Sequence, residues 1–109
     1  MSARILYVVR VRVSTRDEQA WNKWHNTEHI PLVLAQPGFI SARKFRSFSS
    51  NSKEAEYIVC YELRNQAAYE KYVKSEEGSI LRQHYLDAYG PKTKIERWTW
   101  VETFTLTKK

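Results

Sequence analysis

Residues 21–39, "WNKWHNTEHIPLVLAQPGF", decide how the rest of the chain is read. Their bulky residues recur every three or four positions, the period of an amphipathic helix. Trp21, Trp24, Glu28, Leu32 and Ala35 make its expected inward face, and "QPGF" at 36–39 stops it. At about 100° per residue, Glu28 and Leu32 fall within about 20° of Trp21, whereas His25 lies about 40° and His29 about 80° to one side. That phase points Glu28 into the apolar face. It sets His25 and His29 along the border, where a side chain can look into a cleft between helix and sheet. Upstream, Thr15 and Glu18 have the spacing of a capping box that starts the helix.

Working outward, residues 4–13, "RILYVVRVRV", alternate with period two. Ile5, Tyr7, Val9, Val11 and Val13 share one face of a first strand. Residues 39–48 read as a second strand, "SSNSKE" as a polar hairpin loop, and residues 56–63 as a third strand. Asn65 caps a second helix, "QAAYEKYVK", which "SEEGS" interrupts. A further turn or two then carries Ile80, Leu81, His84, Tyr85 and Ala88 as a stripe. "YGP" ends that segment, and residues 94–106 alternate as a last strand. The order β-α-β-β-α-β is that of a ferredoxin-like α+β domain with an antiparallel sheet, here a single domain over residues 1–109. Both helices cover one sheet face. The other still carries bulky groups such as Val8 and Phe48, so a second copy packing sheet on sheet, a homodimer, is its expected cover.

Composition narrows the functional classes. The 109 residues carry 18 Lys plus Arg against 12 Asp plus Glu, a net +6, so anionic partners are favoured. The basic residues are scattered, which fits a solubilising surface as well. Cys60 is the single cysteine, so there is no disulfide framework, and a reducing, cytoplasmic setting is expected. No apolar run reaches the roughly 18 residues of a membrane span, and the alternating arginines of the N-terminus suit neither a signal peptide nor a transit helix. The chain lacks a dinucleotide glycine motif, a phosphate-binding loop and a nucleophile elbow.

His25 to His29 also spell H-x-x-E-H, the pattern of one class of zinc peptidase helix. Two histidines four apart can reach one metal from one helix. Against this, no third ligand is evident, the chain is short for a peptide cleft, and Pro31 disturbs the helix just where a rigid platform is needed. No metal is therefore expected. An RNA recognition motif shares the element order, and "LYVVRV" and "YIVCY" loosely resemble its two strand motifs. The basic-Gly-aromatic start of the third strand is missing, however, and acids stand in its place.

An acid and two imidazoles beside tryptophans make a proton-transfer pocket. The candidate catalytic residues are His29, His25 and Glu28. Trp24, Tyr7, Tyr61 and Trp98 are candidates for binding a flat or cyclic ligand, with Tyr57 and Trp100 in the same aromatic wall. His84 is placed to close the pocket from the later helix. Each of these residues also has an ordinary reading as core.

Trp24, His29 followed by Pro31, and the turn Pro37-Gly38-Phe39 resemble the first-helix signature of dimeric α+β barrel proteins, in particular the EthD-like branch. The likeness is close over residues 21–39 and elsewhere extends to element order and length. It implies ferredoxin-like subunits whose sheets pair into a barrel, each with a pocket between helices and sheet. It also implies His29 as the pocket acid or base. The superfamily includes cofactor-free monooxygenases, polyketide cyclases, isomerases, decarboxylases, dehydratases and ligand-binding domains. The resulting expectation is a cofactor-independent lyase-, isomerase- or cyclase-type enzyme acting by proton transfer on a small aromatic or acidic metabolite. The alternatives are a cofactor-free monooxygenase, a non-catalytic ligand-binding module, and an interaction protein without a pocket. No nucleic-acid or membrane partner is expected.

Overall fold

The computed structural model describes residues 3–109; the first two residues of the N-terminal stretch read above lie outside the described residues. Strand β1 is Ile5–Ser14. Helices α1 (Glu18–Trp24) and α2 (Ile30–Leu34) are joined through the π-helical turn His25–His29 into one continuous helical arm. Then come β2 (Phe39–Arg46), β3 (Glu54–Leu63), α3 (Gln66–Lys74), α4 (Glu76–Tyr89), a 3-10 turn at Gly90–Lys92, and β4 (Thr93–Val101). The sheet order is β2-β3-β1-β4 with every neighbouring pair antiparallel, which is the ferredoxin-like arrangement that the periodicities predict.

Strand parity assigns the faces. Tyr7 stands opposite Tyr61 and Thr99, and Val9 opposite Val59 and Arg97, all toward the helices. Val8 stands opposite Cys60 and Trp98, and Leu6 opposite Trp100, on the helix-free face. The core lies under the helices in two clusters. One gathers around Tyr7, Val59, Tyr61 and Leu63, the other around Val11, Val13, Trp21 and Tyr57. The helix-free face keeps Trp98, Trp100 and Phe45 partly exposed. At its centre Arg10 and Arg12 interleave with Glu56 and Glu96, the shortest contact being Arg10 Nη2 to Glu56 Oε1 at 2.7 Å.

The helical arm departs from the expected phase. Trp21, His25, His29 and Val33 are buried, while Glu28, Leu32 and Ala35 are exposed. The cause is the wide turn, in which the Ile30 N–H donates to the His25 carbonyl five residues back. One residue is taken up without advancing the helix face. His29 and Val33 thereby occupy the directions that a straight α-helix gives Glu28 and Leu32. Pro31 explains why the turn forms here. Its ring would press on the carbonyl of Thr27 in an α-helix, and it has no N–H to offer. Nearby, the Thr27 hydroxyl donates to the Lys23 carbonyl at 2.6 Å.

Other boundaries differ for local reasons. The capping box does not form: Thr15 Oγ1 donates to the Ser52 carbonyl at 2.7 Å, and the Glu18 carboxylate instead holds Arg46 Nε at 2.7 Å and accepts from the Tyr57 hydroxyl. Asn65 does cap α3, accepting from the Ala68 N–H at 2.9 Å. "SEEGS" is a new start, because Ser75 Oγ accepts from the Gly78 N–H at 2.9 Å and opens α4, a helix of 14 residues rather than a turn or two. Strand β4 stops at Val101, well before residue 106, because Val101 pairs with Ile5, where β1 begins. Gly38 has φ 87°, and a Cβ there would come within 2.4 Å of the Ala68 Cβ, so the turn into β2 both needs the left-handed conformation and lets α3 pack close.

The register shift is testable by paired truncations. Val33 is 3% exposed and Leu32 47%. Val33→Ala is expected to cost about 1–3 kcal/mol in urea unfolding, and Leu32→Ala to stay within about 0.5–1 kcal/mol. The reverse ranking would mean that the helix is wound straight.

Candidate functional site

The cleft lies between the helical arm, α4 and the sheet. Its floor is Tyr7, Val9, Val59 and Tyr61 from the two central strands, its walls are His25, His29 and Val33 on one side and Tyr72 and Tyr85 on the other, and Arg82 and Arg97 also line it. No carboxylate lines it. Its free interior is about 30 Å³, enough for about two waters, so a larger ligand has to displace side chains. Arg82, half-buried, and Arg97, largely exposed, are the long and mobile ones.

His29 is 8% exposed and His25 2%. Their rings stack nearly parallel, 5.7 Å apart and 15° in tilt, instead of converging on a point. Each Nδ1 has its own partner. His29 Nδ1 lies 3.3 Å from His84 Nδ1, and His25 Nδ1 lies 3.0 Å from Lys44 Nζ. Burial, then the charge of Lys44, then His29, push His25 down to about 2. Burial, then His84, then Arg97, push His29 down to about 4. Both imidazoles are therefore neutral near pH 7, and an ammonium beside His25 Nδ1 makes that nitrogen an acceptor and fixes the proton on Nε2. Burial also lowers Lys44, to about 8. Its ammonium sits 4.0 Å over the Trp21 ring and 2.8 Å from Asn26 Oδ1.

The remaining candidates divide clearly. Tyr7 and Tyr61 are in the cleft floor. Trp24 stands behind His29 and does not line the cleft; its ring packs 5.3 Å from His29 and 5.2 Å from His84 and holds the pair between α1 and α4. His84 reaches His29, but from outside the cleft wall. Two further placements are corrected. Glu28 is exposed and points away from the cleft, because the wide turn gives its direction to His29. Trp98 pairs with Val8 on the helix-free face, so it cannot line this cleft, and Trp100 shares that face. The H-x-x-E-H spelling loses its geometry for the same reason, and among the described residues no group of three His, Cys, Asp or Glu is placed to hold a metal.

Arg82, Arg97, Tyr72 and Lys44 also reach the site, though no motif marks them in the sequence, and so does Tyr85 from the apolar stripe of the later helix. Tyr85 joins the two halves of the site: its hydroxyl accepts from Trp21 Nε1 at 3.0 Å and lies 3.0 Å from Thr93 Oγ1. Burial raises the Tyr7 hydroxyl to about 12, against the pull of Arg97, and pushes Tyr61 up still further. The cleft thus presents neutral phenols and imidazoles together with two guanidinium groups.

The chain belongs to the family described as a domain of unknown function (DUF4286), which it matches over residues 4–100. No curated protein matches it. Solved structures match in fold. An EthD family protein (ethyl tert-butyl ether d) from Bacillus halodurans has a TM-score of 0.65 at 16% identity, covering 86% of this chain and 96% of that one. The hydroxynitrile lyase from Passiflora edulis has a TM-score of 0.71 at 10% identity, covering 98% and 100%. SnoaB, a cofactor-independent oxygenase from Streptomyces nogalater, has a TM-score of 0.63 at 13% identity, covering 98% and 100%. At these identities the likeness is one of fold. Among the described residues no helix is long and apolar enough to cross a membrane.

The neutral histidines make a pH prediction. Both are depressed in the fold relative to an ordinary value near 6.5, so below that pH the unfolded chain binds protons that the native one does not. The two rings cost no stability above pH 6.5; below it stability falls progressively, down to about pH 4 for His29 and about pH 2 for His25. NMR titration should find the His25 and His29 rings neutral down to pH 5, and calorimetry should find about two protons taken up by them on unfolding there. A midpoint near 6.5 for either ring in the native protein would contradict the burial.

Proposed function

We propose that the protein is a small cofactor-independent enzyme that moves a proton on a small cyclic or aromatic metabolite, with His29 as the base. The observation that carries this reading is the contact of 3.3 Å between His29 Nδ1 and His84 Nδ1. His29 is a buried, neutral imidazole lining the cleft, and its inner nitrogen is joined to a second imidazole that is only half-buried. With the proton on Nδ1 donated to His84, the Nε2 lone pair is the one left for a ligand. Taking a proton there would make an imidazolium in a dry site, and passing the Nδ1 proton on to His84 would disperse that charge toward solvent. The C–H electron pair would move onto a neighbouring carbonyl oxygen as an enolate. Dehydration, cyclisation and isomerisation begin from that species, as would attack by oxygen on an activated carbanion; decarboxylation ends in it, the breaking C–CO2 bond supplying the electron pair and a protonated His29 returning a proton to carbon. Trp24 holds the two imidazoles in register from behind. His25, with its Nδ1 occupied by Lys44, serves as wall and spacer rather than as a second base.

A second reading, a ligand-binding module without chemistry, has one observation in its favour: the free interior is narrow. Proton exchange separates the two. Incubated in deuterium oxide with cyclic 1,3-diketones and aryl-substituted ketones, the wild type should speed exchange of an α-hydrogen. His29→Ala should slow it by about 10²–10⁴ while keeping its circular dichroism. Exchange that is unaffected by His29→Ala removes His29 from the chemistry.

The same proposal includes a homodimer that covers the helix-free face, where Leu6, Trp98, Trp100 and Phe45 are exposed at the sheet. Sedimentation should give a dimer for the wild type and a folded monomer for Trp98→Glu. An unchanged sedimentation coefficient in that variant would place the contact elsewhere.

A further inference from the structure

We infer that Arg82 and Arg97 form an anion clamp in the cleft, so that the ligand it takes carries a carboxylate or an equally acidic enol close to the carbon facing His29. The inference rests on the proposed reading for the role of His29, but the clamp itself stands on the side chains that line the cleft.

The charges in the cleft do not balance. Both guanidinium groups line it, and none of the ion pairs among the described residues includes either one. Elsewhere, Arg4, Arg10, Arg12 and Arg46 each lie against a glutamate. Here the neighbours are phenols. The Arg82 guanidinium carbon is 5.3 Å from the Tyr72 ring centroid, with Nη2 donating to the Val73 carbonyl at 3.1 Å. The Tyr72 hydroxyl, raised by burial, is pulled back by Arg82 and by Arg97, so both positive charges bear on one oxygen. Arg97 acts on the Tyr7 hydroxyl in the same way.

A phenol raised by burial remains protonated at neutral pH and supplies no counter-charge. A guanidinium group bonds a carboxylate more strongly than a neutral oxygen, and does so in a two-point fork. Two cations in a cleft with no acid and largely apolar walls also concentrate anions. A ligand that brings the missing charge therefore displaces the phenols from the arginines and opens the narrow interior from the side where the flexible chains stand.

The clamp also bears on the reaction. Arg97 is among the charges that keep His29 neutral. A bound anion cancels that influence and leaves His29 a stronger base when the substrate is in place. As the proton leaves carbon for His29 Nε2, the electron pair settles on the enolate oxygen, and the guanidinium groups are placed to hold it.

The test is equilibrium binding of benzoate against its neutral isostere benzamide, followed by tryptophan fluorescence at fixed ionic strength. The wild type is expected to prefer benzoate by tenfold or more. Arg97→Gln and Arg82→Gln should each reduce that preference several-fold and together abolish it, with Arg97→Lys intermediate. Arg64→Gln, at an exposed arginine outside the cleft, should leave it unchanged. Equal binding of the two probes, absence of saturable benzoate binding, or a preference that survives the double variant each overturns the clamp. His29→Ala should bind benzoate within about threefold of wild type. A benzoate preference without His29-dependent exchange would therefore sink the catalytic reading alone, and exchange without a preference would sink the clamp alone.

Discussion

The site depends on one extra residue in one helical turn. An α-helix cannot keep Trp21, His25, His29 and Val33 on one face, because each step of four residues overshoots by about 40°. The π-helical turn His25–His29 removes that drift, and all four become buried. Wide turns are intrinsically poor, so this one has to be held from outside. The clamps are specific: Lys44 from β2 reaches both His25 and Asn26, and Trp24 packs on His29. Pro31 then removes the straight alternative. Rewinding this turn would bury the Glu28 carboxylate and expose His29, at the cost of an unpaired buried charge.

The same packing sets the protonation of the cleft. Burial first, and then Lys44 beside His25 and both His84 and Arg97 near His29, disfavour a charged ring, and no acid lines the cleft to offset it. A charged histidine there would add like charge in a poorly solvated place, so both rings stay neutral. Burial lowers Lys44 itself, and its ammonium recovers some of that cost over the faces of Trp21 and Tyr57. The arginines meet phenols and, for Arg82, the Val73 carbonyl, with no carboxylate among the described residues paired to either, which makes the cleft complementary to a ligand rather than to itself.

Much of this was legible in the sequence. Period-two runs and helical spacings gave the order of elements, and Asn65 and the Pro37-Gly38 turn gave sound boundaries because each acts through local backbone chemistry. The helix phase was misread because Glu28 and Leu32 fit the α template as well as His29 and Val33 fit a strict spacing of four. Pro31 marks where the helix is disturbed but not which phase results; Lys44 from β2 on His25 and His84 from α4 on His29 settle that, and these contacts are distant in sequence. Trp98 was misplaced for a related reason. An alternating strand states which residues share a face, not which face meets the helices, and pairing with Val8 decided it. The same parity places Arg97 beside Val9 in the cleft, on the face opposite to Trp98 and Trp100.

The two faces of the sheet treat charge in opposite ways, which bears on what can cover each. On the helix-free face Arg10 and Arg12 are matched by Glu56 and Glu96, and the bond to Arg10 holds the Glu56 carboxyl below its ordinary value. Charges already paired within one sheet can be covered without leaving any of them alone, whereas an unmatched charge would oppose burial. Around them lie the aromatic rings of Trp98, Trp100 and Phe45, which gain by leaving water. Such a surface suits an apolar partner with the same self-sufficient charges, and a second copy of this face meets that description. The helix-side cleft, with unmatched arginines and neutral bases, is suited instead to a small anion.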